Sequence, residues 1–154
     1  MQSSPYVTDI SGLSSMLCNH GVAVIESVLD DCECSELVSG LWSHLEYLTA
    51  GGPAPVLRTN KNTWRNAAKL LPRHNMVHQF FGAGHADVLW RLRQNPKIIA
   101  PFSALWGVSP EELLVSFDGF SLQPPPEETR LGWREKTKPW YHANQAPNNP
   151  ELRT

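Results

Sequence analysis

His142 and Asn144 stand two residues apart within Trp140-Tyr141-His142-Ala143-Asn144-Gln145-Ala146-Pro147. In an extended segment, side chains at i and i+2 project to the same side, so these two can reach one ion. A non-haem Fe(II) centre uses two histidines and one carboxylate on one face, leaving the opposite positions open for substrate and oxygen. A His-x-Asp pair on a strand is the usual local half of such a centre. Here Asn144 replaces the Asp and offers only a neutral amide oxygen. His142 and Asn144 are the candidate metal ligands.

Other groups carry weaker chemistry. His74 and His78 are four apart and share a face if the segment is helical, with His85 as an available third ligand. The zinc-protease pattern needs Glu after the first His, and Asn75 stands there, so ordinary histidines are the expectation. Cys18, Cys32 and Cys34 form no staple framework and are expected as reduced, structural thiols. Asp118, flanked by Phe117 and Phe120, is expected to be held by a backbone or Arg contact. No Gly-x-Ser-x-Gly elbow, phosphate loop or dinucleotide fingerprint is present.

The elements that would position these groups follow from periodicity. Residues 9–19 form an expected helix ended by Gly21, and Val22–Val28 reads as a strand. Asp30 with Glu33 fits a capping box opening a long helix. Leu37, Leu41, Leu45 and Leu48, with Val38 and Trp42 beside them, give that helix one buried stripe. A loop over 52–63, a weaker helix from Thr63 to Leu71, and a helix over 86–94 follow. Asn95-Pro96 starts another helix, with Ile98, Ile99, Phe102, Leu105 and Trp106 inward and Gly107 as its stop. One turn from Ser109 precedes an expected strand over 114–122. Lys138–Gln145 is expected to be extended. The class is α+β, with strands concentrated late and thirteen prolines favouring long ordered loops over a helical bundle.

The 154 residues suit a single domain, 1–154, with 41% hydrophobic and 18% charged residues. A net charge of -2 with scattered basic residues argues against nucleic-acid or acidic-membrane partners. No apolar run approaches the ~20 residues needed to span a bilayer, and the N-terminus lacks a secretion pattern. A cytoplasmic location is the expectation.

The segment Trp140–Pro147 resembles the Trp-x-His-x-Asp-Gln-Ser-Pro segment of phytanoyl-CoA dioxygenase-like proteins, Fe(II)/2-oxoglutarate-dependent oxygenases. His85 to Arg93, Trp106-Gly107 and Leu114 to Gly119 are similar to the region preceding that motif in a microbial and fungal branch. Gly21 to Ile25 looks like its opening strand. The resemblance implies helices packed on a double-stranded β-helix (jelly-roll, cupin-like) core, here incomplete, and the N-terminal portion of that fold. It implies Fe(II) and 2-oxoglutarate as cofactors, an unknown small-molecule substrate, and hydroxylation coupled to decarboxylation of 2-oxoglutarate. His142 would be the first iron ligand, and position 144 normally supplies the carboxylate. The family's second His and its 2-oxoglutarate Arg lie downstream of this motif, and no residue here matches them. A truncated or degenerate member, inactive alone, is therefore expected. The alternative is a non-catalytic interaction module derived from that fold. An incomplete sheet exposes unpaired edges, so self-association or pairing with a second chain through that edge is a further expectation.

Overall fold

The computed structural model describes residues 4–73 and 76–123. His142, Asn144 and the whole segment expected to be extended lie outside the described residues, as do His74 and Asn75.

The first helix, α1, spans Leu13–His20 and starts later than its apolar pattern suggests. The Asp9 carboxylate accepts from the Ser11 hydroxyl (2.7 Å) and the Gly12 amide (3.0 Å), so residues before Leu13 are spent on a turn. Those two bonds hold the Asp9 carboxyl below its ordinary range, the hydroxyl contributing most. The stretch expected as a strand over 22–28 makes one parallel bridge, Val7 to Val24. Ser27, at φ 53°, breaks its extended path.

Helix α2 covers Asp31–Thr49 and opens with the expected capping box. Glu33 N–H donates to Asp30 Oδ1 (2.8 Å), and Asp30 N–H donates to Glu33 Oε2 (2.9 Å). Leu45 is buried, and Leu37, Leu41, Trp42 and Leu48 pack around it, but Val38 falls outside the stripe and is exposed. The loop that follows is tied down to α2. Buried Thr49 donates its hydroxyl to the Leu45 carbonyl (2.8 Å) and accepts the Val56 N–H (2.9 Å). Glu46 accepts the Arg58 amide (2.7 Å), and Ser39 accepts from the Arg58 guanidinium (3.0 Å). The weak helical signal after the loop is a 3-10 segment, Lys61–Leu70, whose Trp64 ring packs on Trp42 at 5.0 Å.

Strand β1, Val77–His78, pairs antiparallel with β2, Phe120–Ser121, with His78 opposite Phe120. His78 lies on a strand, so the condition for a shared helical face with His74 is not met at His78. Of the strand expected over 114–122, Phe120–Ser121 is paired and Leu114 is 99% exposed. Strand propensity closes no ladder without an opposing backbone, and the described residues supply one from Val77 and His78, with Leu122 N–H donating to the Met76 carbonyl beyond them.

Helix α3, Asp87–Arg93, packs between α2 and α4, and α4, Pro96–Trp106, also meets α1. Asn95 caps α4 through the Lys97 amide, and Gly107 ends it in the left-handed conformation, as the sequence suggests. Its expected inner face is only half-covered: no residue of α4 is buried, and Phe102 and Trp106 are exposed. The core lies between α2, α3, the 3-10 segment and the β1–β2 strand pair, built on Leu45, Leu70, Ala83, Ala86, Val88, Leu89 and Phe120. The result is mostly helical with a small two-stranded antiparallel sheet, α+β in the coarse sense. Among the described residues no helix is long and apolar enough to cross a membrane.

The starts of α2 and α4 are clasped by charge. Lys97 Nζ lies 2.6 Å from Glu33 Oε2 and 3.7 Å from Asp30 Oδ2. The Lys97 hydrogen bond, then the Asp30 amide, pull the Glu33 carboxyl down to about 2. A carboxyl lowered on folding stabilises above its unfolded value of 4.5 and loses that contribution as pH falls toward 2. Replacing Lys97 with Met should raise the Glu33 value, so that the acid-linked loss becomes smaller and is complete at a higher pH, readable by carboxyl NMR titration. Thr49→Val should cost about 1–3 kcal/mol in urea unfolding, because it strands the buried Val56 amide.

Candidate functional site

The described part of the chain brings two of its histidines together around one aromatic ring. His78, carried by β1, is 2% exposed and stacks on Phe120 with ring centres 5.1 Å apart and planes 17° apart. His44, from α2, meets the same ring edge-on at 6.3 Å. Both nitrogens of His78 and Nε2 of His44 are buried without a hydrogen-bond partner. Burial lowers both imidazoles below their ordinary value of 6.5, so they are neutral at pH 7 and behave as flat apolar plates.

His44 was detectable in the sequence, though not as a site. It follows Leu37 and Leu41 and precedes Leu48 at helical spacing, so it occupies a core-facing position of α2. His85, the other candidate ligand, ends a 3-10 turn and packs its ring 4.5 Å from Phe117. Among the described residues, no group of three His, Cys, Asp or Glu could hold a metal ion. Cys18, Cys32 and Cys34 are free, and all three are exposed rather than packed in the core.

The Asp118 carboxylate has the backbone partner expected for it, whereas Arg93 bonds its main-chain carbonyl and not the acid. Its carboxylate accepts from the Gly119 amide (2.9 Å) and from Gln79 Nε2 (2.5 Å), and its carbonyl accepts from Arg93. The Gln79 bond, then the Gly119 amide, hold the carboxyl below its usual range, with the Arg93 charge adding to them. Its side chain is exposed, not half-buried. Arg93 escaped the sequence reading. Its guanidinium also donates to the Gly84 carbonyl (2.7 Å) and lies over the rings of Trp90 (5.4 Å) and Phe117 (5.1 Å). The i, i+3 spacing of Trp90 and Arg93 on a helix was its available signal.

A groove of about 480 Å³ runs between α2 and α3. Its floor is apolar, made by Leu37, Gly40 and Val88. A Cβ on Gly40 would sit 2.9 Å from Val88, so the helices approach this closely only because position 40 lacks a side chain. At the rim Arg91 pairs with Asp87 (2.8 Å), and Glu36 accepts from the Cys32 thiol. The groove is the size of a small-molecule pocket. Its rim groups are engaged with one another, which suits binding rather than bond-making.

No protein-family model matches the chain. No solved structure matches it either. A curated relative does: the chain is 30% identical over 69 residues to "Ava biosynthesis cluster protein O" of Aspergillus versicolor. That match covers 45% of this chain and 20% of the relative, so the chain spans about a fifth of the relative's length.

Gly119 places β2 against β1. A Cβ there would stand 1.6 Å from the His78 carbonyl oxygen. Gly119→Ala should therefore separate the strands and cost about 3 kcal/mol, the upper range for overpacking. Loss of near-ultraviolet aromatic signal with the helical far-ultraviolet signal retained would be its signature.

Proposed function

We propose that the chain derives from the Fe(II)/2-oxoglutarate-dependent oxygenases of the phytanoyl-CoA dioxygenase-like type, in its N-terminal, helix-rich portion, and does not turn over by itself. The observation that carries this reading is the segment Trp140–Pro147, with His142 in the position of the first iron ligand. The double-stranded β-helix belongs to this proposal as the core on which the helices would pack. The relative from Aspergillus versicolor is named for a biosynthesis cluster, which suits a small-molecule substrate.

The pair His142 and Asn144 does not by itself make a working iron centre. His142 supplies one imidazole and Asn144 a neutral oxygen. An anion beside a divalent cation is worth several kcal/mol even in a well-screened site. No catalytic step is therefore assigned to iron in this chain.

The test is Fe(II) binding by calorimetry, with succinate release from 2-oxoglutarate, for the wild type, Asn144→Asp and His142→Ala. Asn144→Asp should tighten Fe(II) binding about tenfold or more, and His142→Ala should remove it. The wild type should release no succinate. Failure of Asn144→Asp to bind iron would overturn the ancestry assigned to this segment. Wild-type turnover that His142→Ala abolishes would overturn the inactive reading. A second reading, a non-catalytic interaction module, is favoured by α4, where Phe102 and Trp106 stand 54% and 70% exposed on an apolar helix.

A further inference from the structure

The seam between α2 and the β1–β2 strand pair is filled by two imidazoles and one phenyl ring. His78 lies flat on Phe120 and His44 meets it edge-on. Three of their ring nitrogens are buried and bonded to nothing. A native protein rarely leaves such groups unsatisfied, and a neutral imidazole tolerates it far better than an imidazolium. We propose that His44 and His78 make this seam a proton-sensitive latch, closed while both rings are neutral and opened when either takes up a proton.

The charged groups around the seam already have other partners. On the side of the strand pair the Asp118 carboxylate is bonded to Gln79 and to its neighbouring amide, and Arg73 also bonds Gln79. On α3, Asp87 and Arg91 pair with each other, and Arg93 is held by the Gly84 and Asp118 carbonyls. On α2, Glu46 accepts the Arg58 amide, and Glu36, in the groove that His44 also lines, accepts from Cys32. Lys69, beside core residue Leu70, is exposed. A proton arriving on His78, both of whose ring nitrogens are buried, or on the buried Nε2 of His44 therefore finds no hydrogen-bond partner while the seam is shut. It is accommodated by parting α2 from the strand pair.

The sign follows from burial. Both groups bind a proton less readily folded than unfolded. Their contribution is complete above the unfolded value of 6.5 and declines as pH falls from there toward the lower folded values. Each imidazole can raise the unfolding constant by up to about tenfold per pH unit in that window.

The experiment uses the full chain. Urea unfolding is followed at pH 7.5, 6.5 and 5.5 for the wild type, His78→Phe, His44→Phe and the double variant. The wild-type midpoint should fall with acid, each single variant should lose part of that slope, and the double variant should lose most of it. The latch is read from the slope alone, whatever the absolute stability of each variant. For variants that do not fold, ¹⁵N–¹H spectra of the wild-type imidazoles decide. His78 should remain neutral at a pH where a free histidine is protonated, and exchange of the β1–β2 amides should accelerate with acid. A slope fully retained in the folded variants would overturn the latch. So would a His78 ring that titrates like free histidine.

Discussion

Phe120 must be buried between α2 and β1 for the rest of the described fold to hold. Its ring joins a core of Leu45, Leu70, Val88 and Leu89, with the small side chains of Ala83 and Ala86 admitting close approach. Few large side chains share this work, so each contact matters more than in a larger domain. The ring reaches that place because Gly119 lets β2 lie almost on the His78 carbonyl, and because Arg93 fixes the Asp118 carbonyl just before it. Backbone proximity, an arginine clamp and aromatic stacking are thus one arrangement.

Polar contacts in this molecule differ in weight according to burial. The Arg91–Asp87 pair lies on the surface at i, i+4 and contributes little. Thr49 is different, since its hydroxyl satisfies a buried amide from the loop and anchors it over α2. Arg93 combines carbonyl bonds with two ring faces, which joins α3 to the turn at Gly84 and to the approach of β2. These contacts hold the irregular stretches in place without regular secondary structure.

The helices were legible because their signals are local. Asp30 with Glu33 and Asn95 with Pro96 mark starts that the hydrogen bonds bear out, and Gly107 marks a stop. The strands were not, because strand formation depends on a partner that pattern cannot name. Val22–Val28 and Leu114–Gly119 are rich in strand-forming residues, yet they find little or no opposing backbone among the described residues. The His44–Phe120–His78 stack was also hidden, since it joins residues far apart in sequence. Of the candidate site, the chemistry of His142 and Asn144 was readable from residue types alone, while its three-dimensional setting lies outside the described residues.

The Gln79–Asp118 bond joins residues 39 positions apart, and the β1–β2 pairing beside it spans a similar loop. During synthesis α2, β1 and α3 all emerge from the ribosome before Phe120 emerges to complete their shared core. Until then, the apolar stripe of α2 and the uncovered edge of β1 are open to chaperones and to neighbouring nascent chains. Closing so long a loop carries an entropic cost before any stacking is gained, which makes closure of the strand pair a natural slow step in folding.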